Sequence, residues 1–216
     1  MPAVFHRHAN LLALLGLAGL LLLLGAAVMI WRLATGEPYS IGEPVPQPVP
    51  FSHKHHVGED GIDCRYCHTS VESSAFAGLP PIETCMTCHS RLFNDAPLLR
   101  PVVDGLATGT PIHWNRVHTL PGFAYFDHSI HVNKGVGCAT CHGPVDRMPL
   151  MWRVAPLTMG WCLDCHRAPE KYLRPRAKVF DMEWQPPPDQ ERLGKALATE
   201  YHVRIGKITD CSTCHR

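Results

Sequence analysis

The chain has 216 residues, enough for one domain or two small ones around a modest core. Twenty Lys and Arg against nineteen Asp and Glu give a formal charge of +1, which argues against nucleic acid as a partner. Twenty prolines and little sustained periodicity argue against long helices or a regular sheet beyond the N-terminal segment.

Leu11 to Trp31 runs without an ionisable residue, and as a helix spans roughly 30 Å, the thickness of a hydrocarbon core. His6, Arg7 and His8 precede it, so the positive-inside tendency keeps the N-terminus cytoplasmic and exports the remainder. Trp31 and Arg32 then stand where an interfacial aromatic and a snorkelling base belong. Small residues at Gly25, Ala26 and Ala27 resemble a signal-peptide cleavage site, but the expectation is a retained anchor. Residues 1–32 are thus a cytoplasmic tip and transmembrane helix in a bacterial inner (cytoplasmic) membrane. Next, Pro44, Pro46, Pro48 and Pro50 alternate with other residues, a pattern that favours extended polyproline geometry. Residues 33–50 are expected to be a stiff spacer carrying a periplasmic domain, 51–216, away from the lipid.

Within 51–216 all ten cysteines fall into five copies of one pattern. The copies are Cys64-Arg-Tyr-Cys67-His68, Cys85-Met-Thr-Cys88-His89, Cys138-Ala-Thr-Cys141-His142, Cys162-Leu-Asp-Cys165-His166 and Cys211-Ser-Thr-Cys214-His215, numbered motifs 1 to 5 below. Cys-x-x-Cys-His is the attachment signature of c-type haem. Two thiols one helical turn apart add to the two vinyl groups of a porphyrin, and the adjacent histidine reaches the iron from one face. Structural zinc sites usually draw four ligands from two Cys-x-x-Cys pairs; five pairs leave one over, and zinc does not explain a histidine after every second cysteine. The expected cofactors are five covalently bound c-type haems. The fold class follows: a multihaem cytochrome c, with short α-helices and irregular loops around the haems, plus one N-terminal transmembrane helix.

The motifs are organised as an internal repeat. Phe51-Ser-His53-Lys-His55-His56 precedes motif 1, and Phe126-Asp-His128-Ser-Ile-His131 precedes motif 3. A second motif follows in each case, 21 or 24 residues after the first cysteine, giving two-haem units at about 51–100 and 126–170 and a fifth haem at 211–215.

Each motif supplies a proximal ligand, namely His68, His89, His142, His166 and His215. On a helix, residues i and i+3 lie about 60° apart around the axis, so the two histidines of Phe-x-His-x-x-His can address two different irons. His53, His56, His128 and His131 are therefore the candidate distal ligands of four haems, while His55 points towards solvent or a propionate. The fifth distal ligand is expected to be His118, with His113, His202, Met148, Met151 and Met159 as alternatives. No catalytic residue is expected.

These segments resemble those of class III multihaem cytochromes. The longer stretches Pro50-Phe51-Ser-His-Lys-His-His-Val-Gly, Arg116-Val-His-Thr-Leu-Pro, Tyr125-Phe-Asp-His-Ser-Ile-His-Val-Asn-Lys-Gly-Val-Gly-Cys, Met159-Gly-Trp-Cys-Leu-Asp-Cys-His-Arg and Thr209-Asp-Cys-Ser-Thr-Cys-His-Arg are similar to the pentahaem subunit of bacterial alternative complex III. The resemblance covers nearly the whole chain. It implies bis-histidine haems and a membrane complex that oxidises quinol. It also implies an iron–sulfur partner like the molybdoenzyme subunits, polytopic quinol-binding subunits and a monohaem cytochrome c. Electrons would pass to a soluble cytochrome c or a terminal oxidase. Two other functions compete: a stand-alone anchored quinol dehydrogenase feeding a periplasmic reductase, and a catalytic multihaem reductase, which would need an open iron.

Overall fold

The computed structural model describes residues 8–35 and 41–215. His6 and Arg7 of the expected cytoplasmic tip, and residues 36–40 of the expected spacer, lie outside the described residues. The chain divides into two compact units, Met1–Ser40 and Ile41–Arg216.

In the first unit a single helix, α1, spans Ala9–Thr35. Its leucines, alanines and glycines are strong or permissive helix formers once lipid replaces water, and its Ala9–Arg32 stretch has a mean hydropathy of 2.7. By length and composition this helix can cross a membrane, a property shared by retained anchors and signal sequences.

The second unit contains short helices joined by irregular chain. A π-helix covers Lys54–Glu59. The α-helices are α2 (Cys64–Cys67), α3 (Ile82–His89), α4 (Arg100–Thr108), α5 (His128–Asn133), α6 (Cys138–His142), α7 (Met159–Arg167), α8 (Gln190–Glu200) and α9 (Cys211–Cys214). Among the described residues β-pairing is limited to isolated bridges, Pro44 with Trp152 and Val136 with Leu173. Every cysteine pair thus lies on a helix. Asp63 caps α2 by accepting from the Arg65 N–H, Asp127 caps α5 through Ile130, and Thr158 caps α7 through Trp161.

The proline-rich stretch from residue 41 does not stand apart as a spacer; it belongs to the second unit. Val45 and Val49 are buried, the Val45 N–H donates to the Met151 carbonyl, and the Gln47 and Asn115 side chains tie the prolines to the loop before His118. The two compact units divide at 40/41. Extended proline-rich chain has unsatisfied carbonyls and a ridged apolar edge, and both find partners along the second unit.

Two small apolar clusters hold this unit. Leu173, Leu197, Ala198 and Tyr201 pack with Val136, Leu193 and Val203. Val71, Val132 and Val179 pack with Ala77, Cys138 and Phe180. In the first cluster α8 lies flush on the turn at Pro169–Lys171, and a Cβ at Gly194 would fall inside the Glu170 backbone.

Candidate haem-attachment and ligand sites

All ten cysteine thiols are free of disulfides. Each pair sits on a short helical turn that holds both sulfurs on one side, the arrangement that two-point attachment to a porphyrin edge requires.

Four of the five motif histidines are oriented by backbone carbonyls. Nδ1 of His68 donates to Gly78 at 2.7 Å, His89 to Leu92 at 3.0 Å, His166 to Ile208 at 2.7 Å and His215 to Phe123 at 3.1 Å. A carbonyl oxygen can only accept, so the proton is on Nδ1 and the Nε2 lone pair is left for a metal. The same device recurs among the candidate distal histidines: His56 donates to Ser52 at 2.9 Å, His128 to Ala75 at 2.9 Å and His131 to Asp127 at 2.7 Å.

Ring spacing then shows which histidines face each other. The ring centres of His56 and His89 are 6.1 Å apart, those of His131 and His166 6.1 Å, and those of His128 and His142 6.3 Å. An imidazole nitrogen binds a transition metal at about 2 Å, so two imidazoles on opposite faces of one iron have centres about 6 Å apart. The three gaps therefore fit one iron each. His53 lies near His68, which after burial is the largest contributor to holding His53 neutral, its pKa pushed down to about 4.

The two repeats reproduce each other in detail. Phe51 meets His53 edge-on at 4.9 Å and stacks on His56 at 4.4 Å; Phe126 meets His128 edge-on at 4.7 Å and stacks on His131 at 4.4 Å. One phenyl ring thus fixes the rotation of two candidate ligands in each unit.

The repeats differ in one respect that simple i, i+3 α-helical spacing does not foresee. His53 and the π-helix after it replace the α-helix expected there, while His128 and His131 lie on α5. Cys64 is eight positions after His56, whereas Cys138 is seven after His131. A π-turn accommodates one extra residue without moving the flanking chain, and the Asp60 N–H accordingly reaches back five residues to the His55 carbonyl at 2.9 Å.

His118 is half-buried and its Nε2 has no hydrogen-bond partner. Burial, reinforced by Arg153 and His128, pushes its pKa down to about 4. Its ring contacts that of His142 at 4.3 Å, an edge-on packing too close to enclose an iron. Among the alternatives His113 and His202 are exposed, and His202 ends α8 in the left-handed conformation; Met148 is fully buried and Met159 is 64% exposed. His55 turns outward to Glu59 and Asp60, which raise its pKa.

A buried cation accompanies motif 3. Arg174 is 6% exposed and lies against Gly137, with its guanidinium over the Trp184 ring at 4.4 Å. This residue has no sequence signature, because its role depends on chain that returns from more than thirty residues away.

Helical thiol pairs, oriented imidazoles and iron-sized gaps together define a multihaem c-type cytochrome, in which haem is bound covalently through the cysteine pairs. Residues 124–216 match the family described as cytochrome c7 and related cytochrome c. The chain is also 36% identical over 175 residues, 79% of its length and 77% of the relative's, to "Menaquinone reductase, multiheme cytochrome c subunit" of Nitratidesulfovibrio vulgaris (strain Hildenborough). The chain belongs to this family of multihaem cytochrome c proteins.

Proposed function

We propose that the chain is a membrane-anchored pentahaem electron-transfer subunit of a quinol-linked respiratory complex, with one haem on each of the five motifs. The observation that carries the ligand reading is the set of three histidine gaps of 6.1 to 6.3 Å, two of them from one duplicated Phe-x-His-x-x-His element. His68, His89, His142, His166 and His215 are the proximal ligands, and His53, His56, His128 and His131 the distal ligands of motifs 1, 2, 3 and 4 in that order. His118 is the fifth distal ligand. Its contact with His142 leaves no space for an iron between them, so its free Nε2 is offered to an iron other than that of motif 3.

Bound haem supplies one-electron chemistry, while the chain's residues orient ligands, exclude water and set local charge. With ten histidines assigned to five irons, none is left open for substrate, so the subunit carries electrons and performs no bond-making step. A helix of α1's length and composition supports an inner-membrane anchor with the haem domain in the periplasm.

The direction of electron flow is read in two ways. Similarity to alternative complex III favours quinol oxidation, with an iron–sulfur subunit, polytopic quinol-binding subunits and a monohaem cytochrome as partners and a cytochrome c or terminal oxidase as acceptor. The relative named for menaquinone reduction favours the reverse direction. Purification in mild detergent, identification of co-migrating subunits, and assay of quinol oxidation against quinone reduction separate the two. Recovery of the chain alone, active with quinol, would overturn the complex-subunit reading.

A further inference from the structure

We propose that the five attachment motifs follow the spatial order 2, 1, 3, 4, 5, with motif 3 at the centre and motifs 2 and 5 at the two ends. The proposal rests on the reading that each motif carries one haem. Four sets of contacts, one for each junction, lead to it.

Motifs 2 and 1 are joined by the Tyr66 hydroxyl and Thr87 Oγ1 at 2.7 Å, each lying between the cysteines of its motif. Cys67 and Cys85 are close enough to influence each other electrostatically, and Phe51 packs on both His53 and His56.

Motif 1 also borders motif 3. The Lys54 N–H donates to the Met148 carbonyl at 3.0 Å, and Gly58 of the π-helix lies so close to the Asp146 carbonyl that a Cβ would not fit. His128, facing motif 3, is held by Ala75, which follows motif 1. Asn133 at the end of α5 donates to the Glu72 carbonyl at 2.8 Å. The thiols of Cys64 and Cys138 also interact through space.

Motifs 3 and 4 share helix α5, whose His128 faces His142 and whose His131 faces His166, and Cys141 interacts with both Cys162 and Cys165. Motifs 4 and 5 are joined by the His166 hydrogen bond to Ile208, three residues before Cys211, and by the interaction of Cys162 with Cys214.

Thiol exposure agrees with this order. Cys88 and Cys211 are exposed, and they belong to the two motifs at the ends; the cysteines of motifs 1, 3 and 4 are all partly buried. Chain order would instead put motif 2 inside, between motifs 1 and 3. In the order proposed here, redox partners exchange electrons at motif 2 and motif 5.

A cryo-electron-microscopy map of the intact complex tests this directly. The shortest iron–iron distances are expected between motifs 2 and 1, 1 and 3, 3 and 4, and 4 and 5. Five irons with motif 2 nearer to motif 3 than motif 1 is would overturn the order, whereas fewer than five irons would overturn the underlying reading instead. Marker variants give an independent readout. His56→Met and His53→Met each raise one haem's potential, so that its oxidation state can be set separately during an electron paramagnetic resonance titration. His56→Met is expected to disturb the signal of one other haem and His53→Met the signals of two. The reverse pattern is the chain-order result and would contradict the proposal.

Discussion

Phe51 and Phe126 each pack against two candidate ligands, so a single side chain sets the rotation of both imidazoles. Phe126→Ala removes the surface against which both His128 and His131 are set. Two low-spin signals, those of motifs 3 and 4, are expected to broaden or shift while the other three keep their positions; a change confined to one signal would show that the second imidazole does not depend on the ring. His118 makes a different prediction. It combines burial with an orphan nitrogen and is held neutral, as a metal ligand must be. The oxidised protein is expected to be low-spin at all five irons, and His118→Ala should convert one of them to high-spin. An unchanged spectrum would remove His118 from the ligand set. Both arguments begin from residues whose spacing can be read in the chain. The carbonyls that orient the rings cannot be read that way: His166 reaches Ile208 and His215 reaches Phe123, and those partners are 42 and 92 residues away.

Among the elements, α5 bears the most consequence because its two histidines face the histidines of two motifs. Asp127 caps it, accepting from Ser129 Oγ at 2.6 Å and the Ile130 N–H at 3.2 Å. The Ser129 hydroxyl first, then the Ile130 and Ser129 backbone, hold the Asp127 pKa below its ordinary value. A depressed carboxyl contributes stability that is present above the unfolded carboxylate pKa and is lost as pH falls through the folded one. At neutral pH the unmodified protein should therefore be more stable than Asp127→Asn, and the difference in denaturant midpoint should shrink as pH falls below about 4. A difference constant over that range would show that ionisation of Asp127 plays no part. At α8, Gly194→Ala places a methyl group in the Glu170 backbone and is expected to cost about 1–3 kcal/mol, read as a lower denaturant midpoint with the haem spectra retained. The duplicated element carrying the candidate ligands was legible from Phe-x-His-x-x-His alone, but the π-turn was not. Its signal is the single extra residue between His56 and Cys64, which is meaningful only once both repeats are known to build the same geometry. The docking of residues 41–50 was likewise hidden, because proline alternation specifies an extended backbone without specifying what it lies against.

For the molecule as a whole, the protein supplies little apolar interior of its own. Seven of its buried side chains form two small clusters, whereas Tyr66, Phe76, Phe123 and Tyr125 beside the motifs are between 48% and 66% exposed. Covalent haem is the apolar material around which such a chain closes, and burying porphyrin faces against these rings replaces the side-chain core that 216 residues would otherwise build. The count of haems is therefore the quantity on which the fold, the ligand assignments and the electron path all depend. Intact-mass spectrometry of the natively matured chain measures it most directly. Five covalent haem additions with all ten thiols consumed are expected; a chain carrying four or fewer, with an unmodified cysteine pair, would contradict the account.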